Sequence, residues 1–415
     1  MSPLDLAQDV YPLDPTSDAA QETQQLQRSG CPIRAVELPG AVRAWTATDL
    51  ASAELVLGHE QLTKDPQAWT AYRTGQIPPD WPLIPLVDGA GFLHKGGEEH
   101  ARQRRLVAGA FKRAPIKALA PRIKAIADEL LDALDDVPAT TPVDLKEQFA
   151  YPLPVRVICE VLGVPETAAV DLRKHFELLV RPLQDGDLLA AQMAINEAFT
   201  ELIATKRHTP GDDLTTQLIH AWDQDDELAE AELAQVIFLI VIAGHETTMN
   251  LVTNAVHALM HNPDQLAAIR SGTATWDDVV EETLRYASPV RHGLMRYATR
   301  DISISGMTIA EGEPVIASMY AAGRDPQHHR NAEMFDVTRP TRRDHVAFGH
   351  GAHFCLGAIL ARQEAAIALE ALFERFPDLH AAAEPAVFPS ISLYGFNELP
   401  VYLTAADRAA SRVPM

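Results

Sequence analysis

The sequence predicts a mainly α protein, a single domain of long helices with small β-sheets at its periphery. Seven stretches repeat apolar residues at helical spacing, at 98–112, 115–135, 166–181, 187–207, 229–261, 276–287 and 357–376. Strand signals are short and lie between them. No Gly/Ser-rich linker and no internal repeat divides the 415 residues.

Taken in order, residues 1–30 read as a loose N-terminal arm and 31–415 as the domain. Ile33–Leu38 and 42–46 form a hairpin that turns at Pro39-Gly40. Further strands are expected at 302–305, 307–309, 315–319 and near 401–403. The stretch Glu230–His261 is apolar almost all round at its centre, so it is a buried helix of ~48 Å at 1.5 Å per residue. The last helix runs without Pro or Gly from 358 to Phe376, and Pro377 stops it.

Composition excludes several classes. A hydrophobic content of 47% supports a large core, and a net charge of −22 argues against a nucleic-acid partner. Cys31, Cys159 and Cys355 form no CxxC pair and are odd in number, which points to a reducing, cytoplasmic setting. The longest purely apolar run, 236–243, is far short of a membrane span, and the N-terminus lacks a basic-then-apolar signal. A soluble, cytoplasmic monomer without a membrane anchor is expected.

The chemistry concentrates in Phe348-Gly349-His350-Gly351-Ala352-His353-Phe354-Cys355-Leu356-Gly357. One cysteine stands at the mouth of a helix inside a glycine-rich loop. Free N–H groups of Leu356, Gly357 and Ala358, with the positive end of the helix dipole, are expected to lower its thiol pKa. Gly349, Gly351 and Gly357 remove side chains where something large and flat would approach the backbone, and haem is the candidate. A buried structural cysteine is the competing reading.

The second concentration lies inside the central helix, at Ala243-Gly244-His245-Glu246-Thr247-Thr248. Gly244 costs roughly 1 kcal/mol relative to alanine in a helix. Leu239, Ala243, Thr247 and Asn250 share one face; Ala243 and Gly244 leave room for a ligand, and Glu246 and Thr247 could pass protons. A zinc-protease reading of His245-Glu246 lacks its second ligand, because Met249 holds that position. A threonine bonded back to its own helix remains the alternative.

Phe-x-x-Gly-x-x-x-Cys-x-Gly before a long helix resembles the cysteine loop of the cytochromes P-450, and Ala-Gly-x-Glu-Thr is similar to that family's oxygen-activating segment. With His100-x-x-x-Arg104 and Glu282-x-x-Arg285, the motifs occur in the family's order over nearly the whole chain after residue 30. The resemblance implies Cys355 as thiolate ligand of haem b, Phe348 shielding the sulfur, and His100, Arg104, Arg296 and His353 at the propionates. It also implies Glu246 and Thr247 delivering protons to O2, and Glu282, Arg285 and Arg339 stabilising the cysteine loop from behind. One departure is Ala322-Gly323-Arg324-Asp325, where many soluble bacterial members carry Asn in place of Gly323 before Arg-Asp.

The expected reaction is hydroxylation of a large, mainly apolar substrate such as a steroid or macrolide. Leu83 and Phe92, in a greasy loop at 81–92, could roof the pocket, and Pro182 and Gly186 could hinge a lid. Leu239 and Ala243 face it, and the resemblance adds Val290, His292, Leu294, Met295 and Leu393. Gly349-His350-Gly351 is not a dinucleotide loop, since Phe354 takes the third glycine position, so electrons are expected from other proteins, which the resemblance implies are a ferredoxin and its reductase. Arg102, Arg105, Lys112 and Arg113 form a basic patch on the outer sector that could receive the ferredoxin. Oxidative coupling or ring closure on a peptide or polyketide is an alternative reaction. A non-catalytic haem or ligand sensor is an alternative of another class.

Overall fold

A computed structural model describes residues 2–88, 92–109, 111–165, 172, 175, 187–223 and 230–404. The central helix Glu230–His261 crosses the molecule, and its apolar positions, such as Val236, Ile237, Val252 and Val256, are buried. Against it pack the helices Pro152–Leu162, Asp187–His208, Trp276–Tyr286 and Ala358–Arg375, and Ala120–Asp135 packs in turn on the last of these and on Pro152–Leu162. They share one large hydrophobic cluster. Among the described residues, one helix is long and apolar enough to cross a membrane, Glu232–His261, and 61% of its apolar window is buried inside the protein.

The strands are β1 Val10–Pro12, β2 Ile33–Leu38, β3 Val42–Ala47, β4 Leu62–Thr63, β5 Val143–Asp144, β6 Arg296–Ala298, β7 Ile302–Ile304, β8 Met307–Ile309, β9 Pro314–Ala317, β10 His380–Ala381 and β11 Pro400–Tyr402. Six form one sheet in the order β1-β2-β3-β9-β6-β4, beside a three-stranded sheet β10-β11-β5 and the β7-β8 hairpin. Gly40 and Ala41, at φ +82° and +59°, make the tight β2–β3 turn at the expected place.

The structure corrects the reading of residues 1–30. β1 pairs in parallel with β2, and the helix Ala19–Gln27 docks with polar as well as apolar side chains. Buried Glu22 holds Arg291 Nη2 at 2.8 Å and His292 Nε2 at 2.9 Å, and Gln27 donates to the Thr48 and Ala321 carbonyls. A helix that docks with Leu26 and Ala19 as its apolar contacts, beside buried Glu22 and Thr23, carries little apolar signal, which is why it read as a loose arm.

Other differences concern helix ends. The 115–135 helix is two, Arg113–Ala118 and Ala120–Asp135, meeting at Leu119. Leu50–Gly58, Pro152–Leu162, Leu214–Trp222 and Pro263–Arg270 are helices without a sequence expectation. Pro152 and Pro154 occupy the first turn of their helix, where proline forfeits no intrahelical bond. The expected 166–181 helix, beyond Leu172 and His175, and the Pro182 and Gly186 hinge lie outside the described residues.

Candidate active site

Folding of the cysteine loop follows from its glycines. Gly349 and Gly351 adopt φ +76° and +71°, which favours glycine, and a Cβ on Gly351 would sit 3.0 Å from Gly58 Cα. The loop therefore lies flush against the end of the Leu50–Gly58 helix. Cys355 N–H donates to Phe348 O at 2.9 Å, which closes the loop, and Gly357 caps the helix Ala358–Arg375. Sulfur faces an internal cavity, so Cys355 has exposed surface although protein encloses it.

The Cys355 thiol corrects one expectation. Desolvation pushes its pKa up, and this outweighs the Gly357 N–H and the Arg104 and Arg362 charges that pull it down. The helix mouth favours the thiolate, but the apolar enclosure opposes it more strongly. A metal ion bound to the sulfur would favour the thiolate.

The cavity has a volume of about 310 Å³. One wall is the cysteine loop, with Phe348, Gly349, His353, Cys355 and Gly357. The opposite wall is the central helix, with Leu239, Ala243, Gly244 and Thr247, and Phe92, Val290 and Leu294 close the space between. A slot of this kind, walled by sulfur on one side and by small residues on the other, accepts a flat ring with a second molecule above it.

Several expected residues stand elsewhere. Glu246 is half-buried outside the cavity wall; desolvation raises its carboxyl pKa, countered in part by the Lys146 charge. Thr247 Oγ1 donates to Ala243 O at 2.8 Å, the back-bonded geometry foreseen as the alternative. Leu83 packs against the cluster of Trp69 and Trp81 instead of roofing the cavity. Leu393 lies behind the wall, bridged to Val290. His292 is bound to Glu22, Met295 is core, and Asn250 turns toward Gly395.

The rim of the cavity is cationic. Arg104, Arg296 and His353 line it together with Lys64, and the His100 ring stacks on His353 with centroids 3.9 Å apart. Lys64 escaped sequence analysis. The antiparallel register of β4 and β6 sets Thr63 opposite Tyr297, so the next step puts Lys64 beside Arg296. Only that register reveals it.

These basic groups are buried without an anion among the described residues. Desolvation, then Arg296, pushes the Lys64 ammonium down to about 7; desolvation and the neighbouring cations push His100 to about 4 and His353 to about 2. Buried Arg296 Nε and His100 Nε2 have no hydrogen-bond partner. Arg104 Nη2 donates to Phe354 O at 2.6 Å. The only carboxylate in the described wall is Glu364, which desolvation raises to about 8 and which is therefore protonated at neutral pH. Two carboxylates carried on a flat apolar ring would satisfy this rim, so the residues present fit haem.

Glu282 and Arg285 are fully buried and joined by two bonds of 2.7 and 2.8 Å, with Arg339 Nε on Glu282 at 3.2 Å. The two guanidiniums also donate to the carbonyls of Gly323, Asn331, Ala332 and Met334. This network therefore staples 323–334, upstream of the cysteine loop. The neighbouring Glu281 ties together the segments on either side of the loop. It accepts from Arg362 Nε at 2.6 Å, His345 Nε2 at 3.0 Å and Arg343 Nη1 at 3.1 Å.

A helical fold around a cation-rimmed slot with a cysteine in its wall is the architecture of a haem-dependent oxygenase. The family model described as Cytochrome P-450 matches residues 166–385, and the chain belongs to the cytochrome P-450 family. It is 37% identical over 409 residues to 2-hydroxy-5-methyl-1-naphthoate 7-hydroxylase of Streptomyces carzinostaticus, covering 97% of this chain and 99% of that one. Vitamin D(3) 25-hydroxylase of Pseudonocardia autotrophica is 35% identical over 389 residues, covering 94% and 91%. CYP154C4 from Streptomyces sp. ATCC 11861, described as testerone bound, superposes with a TM-score of 0.89 at 39% identity, covering 95% and 98%. The protein is a cytochrome P-450 monooxygenase, and its cofactor is haem b.

Proposed function

We propose that this monooxygenase hydroxylates a large, mainly apolar molecule of the steroid or macrolide class, in the cytoplasm, with electrons from a ferredoxin and its reductase. The observation that carries this reading is the cavity wall. Beyond the cationic rim it is built almost entirely from apolar side chains, including Phe92, Leu239, Val290 and Leu294. A strongly polar or charged substrate would find few partners there among the described lining residues. The names of the vitamin D(3) hydroxylase and the testerone-bound structure support the same class.

In this reading Cys355 Sγ is the thiolate ligand, with Phe348 at the start of its loop. His100, Arg104, Arg296, His353 and Lys64 hold the propionates. When bound, haem would supply O2 activation; with two electrons from the redox partner and two protons, one oxygen atom would be inserted into a C–H bond and the other released as water. Leu239 and Ala243 would orient the substrate, while the small Ala243 and Gly244 leave the cavity open along the central helix. The Thr247 hydroxyl keeps its oxygen lone pairs available while it donates to Ala243. Burial lets Glu246 hold a proton to higher pH than an exposed glutamate does, which suits a residue that resupplies protons to that hydroxyl. Arg105, Lys112 and Arg113 are exposed and could receive an acidic ferredoxin.

A panel of steroids and macrolides titrated into the haem-loaded protein tests the substrate class. A shift of the haem spectrum with one of them, followed by a product carrying label from labelled O2, supports hydroxylation. Absence of any shift across the panel removes the class, and an unlabelled product would favour oxidative coupling.

A further inference from the structure

Far from the cavity, the last turns of the central helix carry His257 and His261 at i and i+4. Both ε nitrogens face Glu384, in the loop after β10. His257 Nε2 lies 3.1 Å from Glu384 Oε1, and His261 Nε2 lies 3.2 Å from Glu384 Oε2. The ligand atoms of all three lie within 4.8 Å of one another. A tetrahedral ion with bonds of ~2.1 Å needs ligand atoms ~3.4 Å apart, so this spacing is close to that of a metal site.

Hydrogen bonding sharpens the case. His261 Nδ1 is 2.9 Å from His257 O, and a carbonyl can only accept, so Nδ1 carries the proton. Nε2 of a neutral His261 is then a bare lone pair aimed at a carboxylate oxygen. Two acceptors at 3.2 Å repel unless a cation lies between them: either an imidazolium proton or a metal ion. A backbone carbonyl bonded to the far ring nitrogen is also how metal-ligating histidines are oriented. The His257 ring is held in turn by Phe396, at 4.5 Å between centroids. His261 and Glu384 are exposed, leaving room for water as a fourth ligand.

We propose that His257, His261 and Glu384 form a binding site for a divalent transition metal of the zinc type. The ion would clamp the end of the central helix to the segment that runs through Leu393, which backs Val290 in the cavity wall. Mixed imidazole and carboxylate ligands suit zinc better than the hard cations calcium and magnesium, which take oxygen ligands.

Equilibrium dialysis of the haem-loaded, chelator-stripped protein against micromolar Zn²⁺ at neutral pH, with bound zinc quantified, tests this. The wild type should retain one zinc ion per chain more than His261→Gln or Glu384→Gln, with affinity in the variants reduced roughly tenfold or more. His208→Gln, on an exposed histidine bonded to its own helix, should match the wild type. Thermal unfolding adds a second readout: Zn²⁺ should raise Tm in the wild type and not in the two site variants. Equal zinc content in wild type and both variants, or none in the wild type, overturns the proposal and leaves an imidazolium–carboxylate pair that shares only a proton.

Discussion

Arg362 donates from Nε to Glu281 Oε1 at 2.6 Å while its guanidinium lies 4.3 Å from the centre of the Phe348 ring. One cation thus joins the helix Trp276–Tyr286, the helix that follows Cys355, and the Phe348 ring at the start of the cysteine loop. Burial works against the Glu281 carboxylate, yet bonds from His345 and Arg362 outweigh it and hold its pKa at about 2. Because the folded value lies below the unfolded ~4.3, the stabilisation is present above ~4.3 and fades as pH falls toward 2. Glu281→Gln should cost roughly 2–4 kcal/mol at neutral pH. It should also flatten acid unfolding over that window, as followed by circular dichroism. An unchanged acid limb would mean another carboxylate carries the linkage.

Lys64→Met separates cofactor binding from stability. The substitution removes a buried cation that has no anion beside it, so the haem-free protein should unfold at a higher temperature. The same change should weaken haem retention, read as faster transfer to a haem-scavenging protein. Loss of Tm together with unchanged haem transfer would assign Lys64 to the scaffold alone.

Glu364 gives a pH dependence of opposite sign. Its folded pKa of about 8 exceeds the unfolded ~4.3, so wild-type stability falls as pH rises between those values. Glu364→Gln removes that term while keeping the shape. The variant should match the wild type near the low end of the window and exceed its Tm near the high end, measured by scanning calorimetry. A constant Tm difference across the range would show that Glu364 does not titrate there.

Thr247→Ala should leave substrate-induced spectral shifts in place but divert reducing equivalents to peroxide, lowering product per electron severalfold. Peroxide and product quantified in parallel check this. A non-catalytic ligand sensor would show no such change.

Long-range periodicity is what the sequence states clearly. Glu230–His261 and the helix after Cys355 were legible to within a residue or two, because each presents an uninterrupted apolar pattern with defined ends. The cysteine loop was equally legible, since its glycines answer to local backbone demands. Partners brought together by tertiary structure were not. Glu282-x-x-Arg285 could be seen at i and i+3, but nothing in the sequence says that Glu281 meets Arg362, 81 positions away. Lys64 needed the β4–β6 register, and Leu83 and Leu393 showed apolar character without showing which side of a wall they occupy. The helix Ala19–Gln27 stayed hidden because buried Glu22 and Thr23 stand beside its few apolar contacts. The thiol pKa went the other way because desolvation depends on an enclosure that the sequence does not display.

The most direct test is the difference spectrum of the reduced, carbon monoxide-bound protein, taken for the wild type and for Cys355→His. Thiolate ligation by Cys355 predicts the strongly red-shifted absorption band in the wild type and its replacement by a blue-shifted, histidine-type band in the variant. A red-shifted band that persists in Cys355→His would contradict the account, because the sulfur at the iron would then belong to some other residue.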